Sequence, residues 1–438
     1  MGFITRHQAF PRALTFKRRA ELPNIQLGVH GQCVFQFEYA GGAGGAGGAG
    51  GDGSAAFRFC DAEGTPVISV EFREGAVSVV NAMDSQPLTD PNNTKGLVGV
   101  PGASYWFSLD AHSLLLQAGI GEARKETVVY RYQFPAGSET IRWLERITNI
   151  VPSSQGITPL RLVRDPITCS VPLAVLGTDS LTMDHIAGGT YMPASNLAAV
   201  GQKLYSCISG KSFVLDTADF PDFSKAIEYS IATPTCWCHE TLKAKSHEFG
   251  PVTNEKETYL RITLNENNGE SPGIPYVMEI WPAGHYSPVH NHGGANAVIR
   301  VLHGRIHVSL FSFLGGESFG SADFEKDAVT WISPALNQVH QLKNVDDVVT
   351  CVTIQCYMYD GEDAAHYDYF DYLDSDGRVQ QFEPNSDMDF VAFKELIRKE
   401  WASRQVFAKQ ADGGKNAEKV GFFQRIKRFF SLKRTASV

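Results

Sequence analysis

Short runs that alternate apolar and polar residues, rich in Val, Ile and Phe and broken by turn formers, recur along this chain and restrict it to a mainly β fold. In the first third they are Cys33–Tyr39, Ala56–Cys60, Val67–Phe72, Ala76–Val80, Ser113–Gln117 and Val128–Phe134. A period of two puts alternate side chains on one face, so these read as half-buried antiparallel strands, enough for an N-terminal β-sandwich or jelly roll. A second set comprises Tyr259–Leu264, Tyr276–Trp281, Ala297–Leu302, Ile306–Phe311, Ala328–Ile332 and Val348–Gln355. Its close spacing suits a double-sheet β-barrel with room inside for a metal and a small ligand.

With 438 residues the chain is too long for one ordinary core, and two domains are expected. The reading divides it into a β-sandwich accessory domain (1–145), a linking or wrapping segment (146–210), a barrel domain (211–385) and a C-terminal helix with a basic tail (386–438). Helical periodicity marks Asp222–Tyr229 and Asp387 to about Gln405, the latter with Phe390, Phe393, Ile397 and Trp401 on one stripe and Ser386 or Asp387 as cap. Gly41–Gly50, a Gly-Gly-Ala repeat, reads as a mobile hairpin insertion, since it lacks the Lys and Ser/Thr of a phosphate-binding loop.

A net charge of −9 argues against extended polyanion binding, so no nucleic-acid partner is expected. The exception is the end of the chain, where Phe422, Phe423, Ile426, Phe429 and Phe430 lie opposite Arg425, Lys427 and Arg428. Such a segment suits docking on this protein's own acidic body, an anionic membrane surface or a protein groove. No stretch has the apolar length of a signal peptide or a membrane span, which predicts a cytoplasmic protein with eight reduced cysteines. Cys236-Trp-Cys238-His239 has no second ligand pair and reads as ordinary structure.

The chemistry-bearing stretch is Gly284-His-Tyr-Ser-Pro-Val-His290-Asn-His292. Residues two apart on a strand end share a face, so both imidazoles point to one side. A third inward histidine from a returning strand would complete a metal triad, and His340 is well placed for it. His285 reads as flanking the entrance, and His303 and His307 as sheet residues.

On these residues the stretch from about 257 to 357 resembles the cysteine dioxygenase family, a branch of the cupins, with its Gly-x5-His-x-His pattern on Gly284, His290 and His292 and its later histidine on His340. Ala297 stands where most cupins place a ligand glutamate, and the resemblance then implies a three-histidine Fe(II) site. It also implies that Tyr259-x-Arg261 holds a substrate carboxylate, that Tyr357 is the catalytic phenol, and that Thr353 and Gln355 form a hydrogen-bonded relay to it. Family members of animal origin crosslink the tyrosine to a cysteine; Ala297 occupies that place, so no crosslink forms. Met358-Tyr-Asp360 replaces the family's Ser-Pro-Pro. The N-terminal strands distantly resemble the β-sandwich of farnesoic acid O-methyltransferase-like proteins, which implies a binding or scaffolding role.

The resemblance thus implies dioxygenation of L-cysteine to cysteine sulfinic acid, with L-cysteine and dioxygen as partners. The competing expectations are oxidation of another small thiol or of a peptide with an N-terminal cysteine, and a nonenzymatic metal-binding scaffold.

Overall fold

The computed structural model describes residues 24–40, 53–100, 102–165, 170–264, 275–359 and 369–404, and the backbone of 13–15. The glycine-rich stretch, the basic tail and Cys169 lie outside the described residues.

The first part of the chain builds two sheets. One has six strands in the order Ala13–Thr15, Ile157–Val163, Gln32–Tyr39, Ser104–Asp110, Leu115–Ile120, Val128–Gln133; the other has five, in the order Ile25–Gln26, Asn149–Pro152, Ser54–Cys60, Pro66–Arg73, Ala76–Asn81. Their inner faces meet in a core of phenylalanines. Phe57 of the second sheet sits edge-on to Phe35, Phe37 and Phe107 of the first, with centroids 5.6, 4.6 and 5.2 Å apart. Edge-to-face contact between rings adds to the area they remove from water. The strand Ser104–Asp110 is absent from the sequence reading. Tyr105, Trp106, Phe107, Ser108 and Leu109 are all buried, so no alternation marks it.

The second part centres on an eight-stranded sheet in the order Tyr191–Pro193, Ala174–Leu176, Val329–Ile332, Asn296–His303, Cys351–Met358, Tyr276–Trp281, Leu260–Thr263, Met388–Asp389. Strand alternation divides its side chains cleanly. Leu260, Ile262, Met278, Ile280, Val298, Val352, Ile354 and Cys356 face helices Ala199–Ile208, Phe223–Ala232, Trp237–Ala244 and 390–404. Arg261, Glu279, Ala297, Thr353, Gln355 and Tyr357 occupy the other parity and face inward. A three-stranded sheet, Ser318–Glu325, Arg305–Phe311, Val339–Lys343, packs on that inner side through Ile306, Val308, Leu310 and Leu342. At Gly304 the chain reverses between strands with φ +70°, and a Cβ there would meet the Thr350 carbonyl oxygen at 2.6 Å.

The expected closed cupin barrel is corrected. The fold is mainly β, but among the described residues no sheet closes into a barrel. The eight-stranded sheet ends in strands of three and two residues, too short to carry a ladder round to the facing sheet, and Pro193 ends one of them without an N–H to donate. The segment left unread between 145 and 210 divides: Asn149–Pro152 and Ile157–Val163 pair with the first two sheets, whereas Ala174–Leu176 and Tyr191–Pro193 join the eight-stranded one. The C-terminal helix starts later than read, and its cap is Asp389, whose Oδ1 accepts from the N–H groups of Val391 and Ala392. Asp387 instead accepts from Lys245 Nζ and the Arg261 N–H. Among the described residues no helix is long and apolar enough to cross a membrane.

Phe57→Ala removes a fully buried ring that touches three others, and it is expected to cost about 3–5 kcal/mol of stability. Urea unfolding followed by tryptophan fluorescence measures the loss.

Candidate metal centre

His290 and His292 follow a turn through Pro282–His285, and His340 lies on the strand Val339–Lys343. Backbone hydrogen bonds of 3.0 Å in both directions between His290 and His340 lock the two segments side by side. The three rings meet with centroids 4.6–4.9 Å apart, and one ligand atom from each falls within 4.8 Å of the others. All three residues are buried.

Each ring is oriented from behind. The Nδ1–H of His290 donates to the Pro288 carbonyl at 3.0 Å, and that of His292 to the Gln338 carbonyl at 3.3 Å. His340 is held in the same way by the backbone of Asn337. A carbonyl oxygen only accepts, so these contacts fix the proton on Nδ1 and turn the Nε2 lone pair inward. Burial pushes the His290 imidazole down to about 4 and the other two well below their ordinary value, with mutual repulsion adding to the effect. The rings are therefore neutral, as a metal requires. His340 Nε2 is buried without a hydrogen-bond partner, which a bound cation would supply. Donor type, protonation and the orphaned nitrogen all fit a divalent metal ion held by three imidazoles.

A cavity of about 280 Å3 is lined by Arg261, Thr263, Val277, Ala295, Tyr357 and Phe370 among others; none of the three histidines lines it, and it meets the triad through Tyr357 and Phe370, whose rings pack on His292. The Tyr357 ring stacks 6.1 Å from that of His292. Its hydroxyl donates to Gln355 Oε1, and Gln355 Nε2 donates to Glu279, so the inward row of the central strand forms a continuous chain. Thr353 departs from the expected relay; its hydroxyl accepts from Trp281 Nε1 at 3.2 Å. Tyr259 stacks on Trp281 at 4.2 Å and lies against the Arg261 guanidinium.

The residue that sequence reasoning missed is Glu279. It lies directly across from Arg261 in the strand register, and its Oε1 accepts from Arg261 Nη1 at 2.6 Å. Burial pushes this carboxyl up to about 7 against the opposing pull of Arg261 and Lys245. Its inward parity in Tyr276–Trp281 was the available signal. Phe370 and Phe382, from the hairpin Phe370–Leu373 and Val379–Phe382, also cover the histidines, at 5.0 Å from His292 and 6.4 Å from His290. No sequence signal linked that distant hairpin to the site.

Other flagged groups lie elsewhere. His285 Nδ1 contacts the Thr258 carbonyl at 2.9 Å, His303 reaches Glu228 and His307 reaches Asp323. His239 Nδ1 lies 3.1 Å from the Ile231 carbonyl, while Cys238 is buried in the helical layer. Cys356 adjoins Tyr357 in sequence but points to the opposite face, where burial pushes its thiol well above the usual range; Cys351 is likewise buried and raised.

No family model matches the chain. Solved structures to which it is weakly similar are cupin proteins and an oxidase. The cupin domain of Schizosaccharomyces pombe Cnp3 is 18% identical over 23% of this chain and 65% of its own, with a TM-score of 0.19. An oxalate oxidase in complex with the substrate analogue glycolate is 17% identical over 25% of this chain and 54% of its own, with a TM-score of 0.20. The Cupin_2 domain of an XRE family transcriptional regulator from Enterobacter cloacae is 12% identical over 23% of this chain and 97% of its own, also at 0.20. Fold and site together define a mainly β protein with a buried three-histidine metal site.

Alanine at position 290, 292 or 340 is expected to weaken Co(II) binding by more than the about 10–100-fold that loss of an outer hydrogen-bond partner costs. Titration followed by visible absorption reads the affinity.

Proposed function

We propose that this protein is an Fe(II)-dependent thiol dioxygenase acting on L-cysteine. The observation that carries this reading is a buried cage of three neutral imidazoles, without a carboxylate ligand, beside a small cavity that holds Arg261 and Tyr357. His290, His292 and His340 would hold Fe(II), which would supply the redox chemistry that joins a thiol to dioxygen. The reaction balances without a second reductant: the thiol sulfur gains both atoms of dioxygen, R–SH + O2 giving R–SO2H, so no flavin, nicotinamide or 2-oxoglutarate is needed.

The cavity's volume, about 280 Å3, stands at the small end of ligand pockets, which run from roughly 300 to 1,000 Å3, and a small substrate fits it. Arg261 lines the cavity and offers a guanidinium to the carboxylate of an amino acid, while Glu279 behind it is occupied by Arg261 and Gln355. Arg261 is in the cavity wall, and of its nitrogens Nη1 is held by Glu279 while Nε carries no hydrogen bond. Tyr357, its hydroxyl held by Gln355, presents a protonated phenol next to the histidines, since burial raises it far above neutrality. A fixed hydroxyl of this kind stabilises negative charge developing on a nearby oxygen. The proposed domain division leaves this whole constellation within residues 211–385.

A second reading, oxidation of a thiol that lacks a carboxylate, is favoured by one observation: Glu279 already partly neutralises Arg261. Mass spectrometry of a thiol panel after anaerobic Fe(II) loading and exposure to dioxygen separates the two. L-cysteine is expected to gain two oxygen atoms; conversion of cysteamine alone would replace the first reading with the second, and conversion of neither would sink both. Tyr357→Phe should lower the rate about a hundredfold while iron content is retained.

The pH dependence follows from the sign of the Glu279 shift. Below about 7 its carboxyl is protonated and Arg261 stands uncompensated; above it the carboxylate competes with the substrate's. The preference for L-cysteine over cysteamine, as a ratio of kcat/KM, should therefore be greater at pH 6 than at pH 8, and Glu279→Gln should flatten the difference.

A further inference from the structure

The segment that follows the strand Leu115–Ile120 leaves the first pair of sheets and enters the second part of the molecule. At Gly121, with φ +88°, the backbone passes so close to Ser312 that a Cβ would meet its Cβ at 2.5 Å. Next come Glu122 and Arg124, whose side chains are almost completely buried. The Arg124 Nη1 donates to Glu122 Oε2 at 3.1 Å and to Asn337 Oδ1 at 2.9 Å; Nη2 donates to the Val171 carbonyl at 2.8 Å, and Nε to Glu126 at 3.0 Å. The other oxygen of Glu122 accepts from the Gln338 N–H at 3.1 Å.

Residues 337 and 338 form the turn that backs the metal site. Asn337 holds a left-handed conformation, φ +63°, and its Nδ2 is tied to the Trp331 carbonyl at 3.1 Å. The peptide group between Gln338 and Val339 orients His292 through the Gln338 carbonyl, and the backbone of Asn337 orients His340. The Gln338 side chain fastens the same turn to the loop after His292, through Gly294 N–H, the Ala295 carbonyl and the Ser333 carbonyl, at 3.0, 2.9 and 2.7 Å. Two of the three imidazoles are thus aimed by a turn that is anchored, at Asn337 Oδ1 and the Gln338 N–H, from a segment more than two hundred residues earlier.

We infer that Glu122 and Arg124 are positioning residues of the metal centre, so that the first part of the chain is a structural component of the site as well as an accessory to it. Outer partners that fix the tautomer and angle of a ligand histidine set affinity and geometry, and their loss costs about 10–100-fold in binding. Here the carboxylate and guanidinium act one step further out, through the peptide that carries those carbonyls. This inference rests on the metal site and is independent of the thiol chemistry.

The test uses the full chain and Co(II) alone, with affinity taken from titration and geometry from the d–d absorption bands; thermal unfolding of each metal-free variant checks that it is folded. Glu122→Ala should weaken Co(II) binding at least tenfold and shift the bands. Glu122→Gln, which keeps an oxygen for the Gln338 N–H, should return both to within about threefold of the parent. Lys95→Ala breaks an exposed contact between the same two parts of the chain, Lys95 with Glu317, and should change neither. A folded Glu122→Ala protein with parental affinity and bands overturns the inference, as does an equal loss in Lys95→Ala. Should Glu122→Ala fail to fold, Glu122→Asp decides, because it withdraws the oxygen from Gln338 by one methylene: altered bands support the inference, and parental ones overturn it. A parent chain that binds no Co(II) sinks the metal site itself, and with it the proposed function.

Discussion

Three imidazoles packed against one another among apolar side chains face a physical conflict. Protonated, they would repel and lose hydration; neutral, each must place one N–H somewhere while keeping the other nitrogen bare. The structure meets both demands with backbone carbonyls from Pro288, Gln338 and the turn at Asn337. Those carbonyls are themselves fixed by turns and by the paired His290 and His340 segments, so the site's chemistry depends on the conformation of main chain that carries no catalytic side chain. The sheets, the tight reversal at Gly304 and the Phe-rich layers serve to hold these few peptide groups still.

The inward surface next to the histidines is governed by a simpler constraint. Because strand side chains alternate, one strand supplies both the helix-facing core and the cavity wall, and neighbouring strands must agree in register for the polar groups to meet. Arg261 opposite Glu279, and Gln355 between Glu279 and Tyr357, express that agreement. A charged pair and an amide are tolerated in such a place because each satisfies another.

That constraint also explains what could be read from sequence. His290 and His292 were legible from their spacing, and His340 from its place on a returning segment, because strand parity is a local property. Strands with one buried face, such as Arg305–Phe311, were legible for the same reason. Ser318–Glu325 was hidden because its largely exposed residues carry no apolar stripe, and Ser104–Asp110, with no alternation, went unread although equally buried strands such as Tyr276–Trp281 were found. Barrel closure was misread because it depends on how the edge strands end, and the edge strands here have two or three residues. Thr353 was given a relay role from the family resemblance, whereas the choice of its partner, Trp281, depends on side-chain reach across strands. Glu279 was within reach of the same parity rule. The contacts of Glu122 and Arg124 with the turn at 337–338 were beyond any local pattern, since they join segments over two hundred residues apart.

Cys356 sits one residue from Tyr357, yet the pleat of the strand turns its sulfur away into the helical layer, and Cys351 is buried at the same strand's start. Under the proposed thiol chemistry, this pleat would keep the Cys356 sulfur apart from a substrate's. The sheet separates the Cys356 thiol from the histidines, whereas Cys351 shares the inward parity of Tyr357 and sits in the apolar layer with Trp281; burial keeps both thiols protonated, the form that is oxidised least readily.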